Sequence, residues 1–319
     1  MQWPMVTTID CNYVMPEVAA AYLLHCGDKA CFIDNNTNHC VPDLLKGLVA
    51  AGYKPEQVEY IIITHVHLDH AGGTGLLLQQ CTNAKVVAHP RAAPHVIDPS
   101  RLVKSAQGVY GEENFRRLYG EIVPVPEDRV VIPADSETLK VGDTELTFIY
   151  TRGHANHHFV IVDKKTKSVF TGDSFGLAYP MLQKGAYPFL FPSTSPTDFD
   201  AAEARISYDK ILHCGATQAY PTHFGVWNDI PAGYRMLSEY INYSEQIFNT
   251  LVAAPSNSPE TDYKTAYDAY KQLFDKELTA RGITLNTDEA KILELDLDLN
   301  AQGVAFAAQR ARKKGKQAT

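Results

Sequence analysis

Cysteine and tryptophan are scarce in this chain, with six of the former and two of the latter among 319 residues. No two of Cys11, Cys26, Cys31, Cys40, Cys81 and Cys214 stand two or three residues apart, which excludes a zinc ribbon or a C-x-x-C redox motif. A chain of this size does not depend on disulfides, so these residues read as buried thiols. No apolar run approaches the roughly 18 residues of a membrane-spanning helix. The amino terminus MQWPMVTTID lacks the basic start and continuous apolar stretch of a secretory signal, so a soluble, cytoplasmic protein without membrane association is expected. Basic residues are the minority, 29 against 37 acidic ones for a formal charge of −8, which argues against nucleic acid as a partner. Only the tail RARKKGK is locally basic. Internal repeats and low-complexity blocks are also absent.

What is present is enough apolar material, 45% of residues, for one large domain or two modest ones. Between residues 5 and 35 β-rich runs alternate with turns, and Gly27-Asp28 reads as a hairpin turn. VPDLLKGLVAAGY has helical spacing with Gly52 past its end, and YIIIT suits a buried strand. A helix over about 72–80, a strand over about 85–89 and a helical stretch over 91–121 follow, then hairpins over 137–151 and 158–171. TDFDAAEARISYDKIL reads as an amphipathic helix begun by Thr197 or Asp198. Past residue 230 the pattern is helical, with a loop over 254–260 and one face marked by Tyr263, Tyr267, Tyr270, Phe274 and Leu278 before Gly282. KILELDLDLN alternates like a strand, yet its flanks lack turn residues, and we assign it to a helix. The expected organisation is a 1–230 domain carrying a 91–121 helical insertion, with a 231–319 helical extension packed on it.

The chemistry is concentrated in HVHLDHAGG, where His65, His67, Asp69 and His70 fall within six residues directly after the YIII run. Three imidazoles and a carboxylate crowded at the end of a buried strand call for a cation, because unpaired polar groups are costly in an apolar interior. Nitrogen and carboxylate donors suit zinc, and also iron or manganese. Gly72 and Gly73 are read as permitting a tight turn into the next helix.

This alternation resembles the motif of the metallo-β-lactamase superfamily. TRGHANHH supplies His154, VFTGDS supplies Asp173 and AYPTHFG supplies His223, in the family's order, so the resemblance covers roughly residues 5 to 230. It implies a four-layer αββα sandwich of mixed α/β class with a dinuclear site at one edge. Carried over by position, His65, His67 and His154 would hold one metal, Asp69, His70 and His223 the second, and Asp173 would bridge them. The implied cofactors are two divalent ions, zinc first, with iron or manganese as alternatives. They would share a hydroxide whose proton Asp69 could accept or relay. His158, four residues after His154, is the candidate for supporting the site, with His157 behind it.

Substrate is less legible. The loop TGDSFGLAYPMLQKGAYPFLF lacks the Gly-Arg or Gly-Lys pair and the aromatics with which glyoxalase II relatives hold glutathione, and Gly176 stands where lactonase relatives carry a tyrosine. Phe175, Tyr179, Tyr187, Phe189 and Phe191 make this loop aromatic, and Phe175, Tyr179, Tyr187 and His89 are the candidate pocket residues, their alternative being simple packing. His95 could also line the mouth, and Arg91, Arg101 and Lys104 could bind an acidic substrate. The reading is a metal-dependent hydrolase of a small ester, thioester or lactone. Its rivals are a phosphodiesterase or nuclease of the same superfamily and a non-catalytic metal-binding protein. A homodimer through an apolar face of the C-terminal helices is a further expectation.

Overall fold

The computed structural model describes residues 5–254 and 258–317. The first four residues, the centre of the loop expected over 254–260, and residues 318–319 therefore lie outside the described residues. The chain divides into two compact units, the first comprising residues up to Tyr150 with His157–Gly172 and His213–Asp229. The second comprises Thr151–Asn156, Asp173–Leu212 and the chain from Ile230 onward.

In the first unit, β1 (Val6–Asp10), β2 (Ala20–Cys26) and β3 (Lys29–Ile33) form an antiparallel meander. Its second turn is the expected hairpin, with Cys26 facing Lys29 and Gly27 at φ 73°, a conformation that glycine adopts without steric cost. After α1 (Val41–Ala50), β4 (Val58–Ile62), β5 (Lys85–Val87) and β6 (Val130–Val131) extend this sheet in parallel. Between β4 and β5 lie α2 (Leu68–Ala71) and α3 (Thr74–Gln80). The second sheet contains β7 (Thr138–Val141), β8 (Thr144–Thr151), β9 (His158–Asp163), β10 (Ser168–Gly172) and β11 (Gln218–Pro221), in the order β11-β10-β9-β8-β7. The two hairpins expected over 137–151 and 158–171 are β7-β8 and β9-β10.

Strand periodicity sorts the apolar side chains into two cores. Along β2, Ala21 and Leu23 join Leu44 and Leu48 of α1 and Leu77 of α3. Tyr22 and Leu24 point the other way, joining Phe148, Phe159 and Phe170 of the second sheet. Five of the six cysteines are buried in this unit as free thiols, and burial pushes Cys81 up to about 12.

The 91–121 stretch is helical, as α4 (Ala93–Ile97), α5 (Ser100–Tyr110) and α6 (Glu112–Tyr119). Phe115 and Tyr119 pack on Leu68, the residue between His67 and Asp69, so this insertion braces the histidine-rich turn.

The second unit holds α7 (Ala201–His213, its last residue belonging to the first unit), α8 (Ile230–Ala253), α9 (Pro259–Arg281) and α10 (Thr287–Gln317). The cap of α7 is Asp200, not Thr197 or Asp198, since its carboxylate accepts from the N–H groups of Ala202 and Glu203 at 3.0 and 3.2 Å. Asp198 instead accepts from the N–H of Asn156. KILELDLDLN lies within α10, where Leu293, Leu297, Asn300, Ala301 and Val304 are buried at helical spacing. Gly282 ends α9 at φ 68° as expected, and of the expected aromatic face Tyr270 and Phe274 are buried while its other members are half-buried. Asp262, Ala266, Tyr270 and Phe274 are buried, while Tyr263 and Tyr267 are half-buried with hydroxyls directed to Asp298 and Glu294 of α10. The hydrogen bond to the Asp298 carboxylate, with burial second, raises the Tyr263 hydroxyl to about 12.

No helix among the described residues is long and apolar enough to cross a membrane. The local basic run at the end of α10 is partly consumed in structure: Arg310 donates to the carbonyls of Thr197 and Phe199, and Arg312 to Leu251 and to the Asp262 carboxylate. Asp262 is completely buried, so removing its partner strands a charge away from water. Arg312→Ala is expected to lower unfolding stability by roughly 3 kcal/mol, the cost of breaking a buried pair from one side. A urea denaturation curve within about 0.5 kcal/mol of the parent would refute this role.

Candidate metal centre

Parallel pairing of β3 and β4 brings their carboxyl-terminal ends out at one edge, and both deliver polar residues there. From β3 comes Asp34, fully buried, which accepts from the Thr64 N–H at 2.8 Å and from the Thr64 hydroxyl at 2.9 and 3.0 Å. From β4 comes Thr64 itself, followed by His65. β11 ends beside them, and the Thr222 hydroxyl donates to Asp34 at 2.7 Å. His70, on α2, donates its Nδ1–H to the same carboxylate at 2.9 Å. The ligand turn is compact because Gly72 and Gly73 allow close backbone approach: a Cβ would lie 2.5 Å from the Leu68 carbonyl at Gly72 and 2.9 Å from the Thr37 carbonyl at Gly73. Their φ values, −62° and −83°, are ordinary, so space and not left-handed geometry demands glycine at both.

These contacts set the ring tautomers. With Nδ1–H donated to Asp34, His70 presents the Nε2 lone pair. His223 donates Nδ1–H to the Val18 carbonyl at 2.8 Å and likewise presents Nε2. Thr64, donating its hydroxyl hydrogen to Asp34, accepts at 3.2 Å from His65 Nδ1–H, which leaves Nε2 of His65 as a lone pair 2.8 Å from His67 Nδ1. Two ring nitrogens that close share either a proton or a cation. Asp69 completes the arrangement, with Oδ2 3.4 Å from His223 Nε2 and 3.7 Å from His70 Nε2. Asp69, His70 and His223 each offer a ligand atom within 4.8 Å of the others. Carboxylate oxygen and imidazole nitrogen, held from behind, form the donor set of a zinc, iron or manganese site, so the residues fit the divalent ion expected from the sequence.

Two of the expected ligands belong to the second unit, where they face each other. His154 donates Nδ1–H to the Ser193 carbonyl at 3.2 Å and places Nε2 3.5 Å from Asp173 Oδ2. Both are buried.

His158 is fully buried, with its ring stacked 4.9 Å from that of His65. Gly172, at φ 48°, makes room for it: a Cβ there would stand 2.6 Å from both His158 Nε2 and Thr64 Oγ1. His157 accepts from the Val66 N–H at 3.4 Å, and its ring is 5.4 Å from His67, so both histidines buttress the ligand turn. His89 is buried, with its ring 4.3 Å from Tyr150. His95 is half-buried, while Arg91, Arg101 and Lys104 are exposed.

The aromatic loop is mostly spent in packing. Phe175, Phe189 and Phe191 have no exposed surface, and the last two meet Phe274 at 5.5 and 4.9 Å. Tyr179 is buried with its hydroxyl 3.3 Å from Asp296. Tyr187 is 47% exposed and lies against the Arg281 guanidinium. Burying this much aromatic surface against α8 and α9 accounts for these residues without a ligand. Asp34, Thr222 and Val18 were not singled out by sequence reading. For Asp34 a signal existed, a carboxylate closing the apolar run CFI in the strand beside the first histidine.

A sequence profile of the metallo-beta-lactamase superfamily matches residues 26–223, more than half of the chain, and the protein belongs to that superfamily. A metallo-beta-lactamase fold-containing protein of Sulfurisphaera tokodaii is 32% identical over 167 residues, 50% of this chain and 58% of that one. The chain thus matches less than two thirds of that relative's length. A hydroxyacylglutathione hydrolase of Rhodopseudomonas palustris is 26% identical over 173 residues, 54% of each protein. A solved metallo-beta-lactamase family protein of Thermus thermophilus superposes with a TM-score of 0.66 at 18% identity, over 98% of this chain and 95% of that one. The fold is accordingly the mixed α/β metallo-β-lactamase fold with C-terminal helices, as the sequence implied.

Asp34 is not among the grouped candidate ligands, yet its carboxylate orients His70 and, through Thr64, His65. Asp34→Asn should weaken zinc binding by about 10- to 100-fold, the usual cost of losing such a supporting group. Competition with a chromophoric chelator reads the change, and an unaltered affinity would show that the tautomers are set by something else.

Proposed function

We propose that this chain is a metal-dependent hydrolase acting on a small carboxylic ester, thioester or lactone. In this reading His65, His67 and His154 hold one divalent ion, Asp69, His70 and His223 hold a second, and Asp173 is shared by both. The observation that carries it is the set of buried histidines whose Nδ1 atoms are held by Asp34, Val18, Thr64 and Ser193, and whose ring nitrogens lie within 4.8 Å of one another and of Asp69 or Asp173 in groups that could hold a cation. Two divalent ions, zinc before iron or manganese, would supply a water nucleophile at neutral pH and draw charge from the attacked oxygen.

The protein's own groups perform the remainder. The side chain of Asp69 is 26% exposed while those of His70 and His223 are 0% and 7% exposed, so Asp69 is the member of its cluster that reaches solvent and can take a proton from the nucleophile. His158, buried against His65, fixes that ring so that its nitrogen does not swing away. The hydroxyacylglutathione hydrolase among the relatives supports an acyl compound as substrate. The engagement of Arg310 and Arg312 with carbonyls and a carboxylate leaves less of the basic tail for a nucleic acid.

The test pairs elemental analysis with a substrate panel. Protein reconstituted with zinc is expected to hold two ions per chain and to turn over acyl thioesters, esters or lactones in preference to phosphodiesters. Chelation and Asp173→Ala should each reduce the rate by at least about 100-fold. Metal content near zero after reconstitution would sink the reading, as would turnover confined to phosphodiesters.

A further inference from the structure

His223 is carried by the turn that follows β11, and β2, nearly 200 residues earlier in the chain, holds that turn at several points. The Ala20 N–H donates to the Thr222 carbonyl at 2.8 Å, and the Val18 carbonyl, just before the strand, takes the ring N–H of His223 at 2.8 Å. The base of the turn is closed by a reciprocal pair, with the Ala219 N–H donating to Trp227 at 2.9 Å and the Trp227 N–H to Ala219 at 2.7 Å. Tyr22 of β2 adds a contact of another kind, from a side chain to the backbone.

Tyr22 is completely buried, with its ring 5.5 Å from that of Phe170 and 5.2 Å from that of Tyr220. For packing there, phenylalanine would serve as well and would bring no hydroxyl into an apolar core, where an unbonded one is costly. The hydroxyl is bonded: it donates to the Pro221 carbonyl at 2.5 Å, and the Gly225 carbonyl shares the hydrogen at 3.2 Å. Pro221 and Gly225 stand two residues to either side of His223, so one buried O–H draws together the two limbs of the turn on which the histidine sits. Asp34 sets the ring of His70 directly, whereas Tyr22 sets the backbone from which the ring of His223 projects. The Val18 carbonyl can hold that ring only when the backbone brings it within reach, so the two anchors act on one ligand from different directions.

We propose that Tyr22 is a positioning residue for the second metal ion: by bonding the carbonyls on both sides of His223, its hydroxyl sets that ligand in place before an ion arrives. The proposal rests on the two-ion reading above, in which His223 shares an ion with Asp69 and His70. A ligand ordered in advance spares the ion the cost of ordering it, so the hydroxyl should be felt in the affinity of that ion and not of the other.

The experiment uses the full chain, stripped of metal and titrated with zinc against a chromophoric chelator, as the parent, Tyr22→Phe, His223→Ala and the double variant. In the parent background Tyr22→Phe should weaken the second ion at least about 10-fold and leave the first at the parent's affinity. In the His223→Ala background the same change should do nothing further, because the hydroxyl then has no ligand to position. An equal loss in both backgrounds would overturn the proposal by making Tyr22 a core residue only, and so would a second ion that Tyr22→Phe binds as tightly as the parent. Hydrogen exchange at Ala20 and Trp227 gives a reading on the metal-free parent that needs no variant. Protection within about two-fold of the zinc-loaded protein is expected there, and exchange at least about five-fold faster in Tyr22→Phe. Protection that arises only with zinc would show that the ion, not the hydroxyl, orders the turn. A parent that takes up fewer than two ions would sink the two-ion reading, while the exchange comparison would still decide for or against the hydroxyl's hold on the turn.

Discussion

Asp34 stands where the ends of β3, β4 and β11 meet, and its buried carboxylate takes hydrogen bonds from Thr64, His70 and Thr222. A charge without access to water is tolerable only when its lone pairs are met, and here donors from three segments meet them. The same bonds dictate which nitrogen of His70 carries the proton and, through the Thr64 hydroxyl, which nitrogen of His65 does. The position of the strands and the chemistry of the rings thus rest on one carboxylate, and the ligand turn can be short because its orientation is fixed from behind.

Around this carboxylate the backbone is crowded. Gly72, Gly73 and Gly172 stand where a Cβ would come within 3.0 Å of a carbonyl oxygen or a side chain. The insertion α4–α6 adds support at Leu68 without contributing an expected ligand. The second unit shows the opposite economy: its aromatic residues are buried for packing, and its basic tail is drawn into carbonyls and the buried Asp262. Aromatic content in a loop is therefore poor evidence of a pocket when long helices next to it have apolar faces of their own to cover.

Much of this was legible in the chain. Alternating apolar residues placed the hairpins, and the HVHLDH string after YIII located the centre, because clustered imidazoles have few uses other than a cation. The assignment of KILELDLDLN to a helix rested on the absence of turn residues at its flanks. What sequence reading missed was of two kinds. One was the extent of burial along the aromatic face of α9: Tyr270 and Phe274 are buried, but Tyr263 and Tyr267 are amphipathic, and the carboxylates of Asp298 and Glu294 on α10 hold their hydroxyls at a half-buried face. The other was the support of the ligands, which comes from residues distant along the chain.

The sequence by itself indicated the family, the order of the segments that carry the candidate ligands and much of the helix and strand alternation, since these follow from periodicity and from donor chemistry repeated in a local string. Tertiary structure alone decided that Asp34 serves His70, that Val18 serves His223 and that Gly172 makes room for His158. Hydrogen bonds and steric limits act over a few ångströms, and residues 36 or 205 positions apart come within that range only after the sheets have paired.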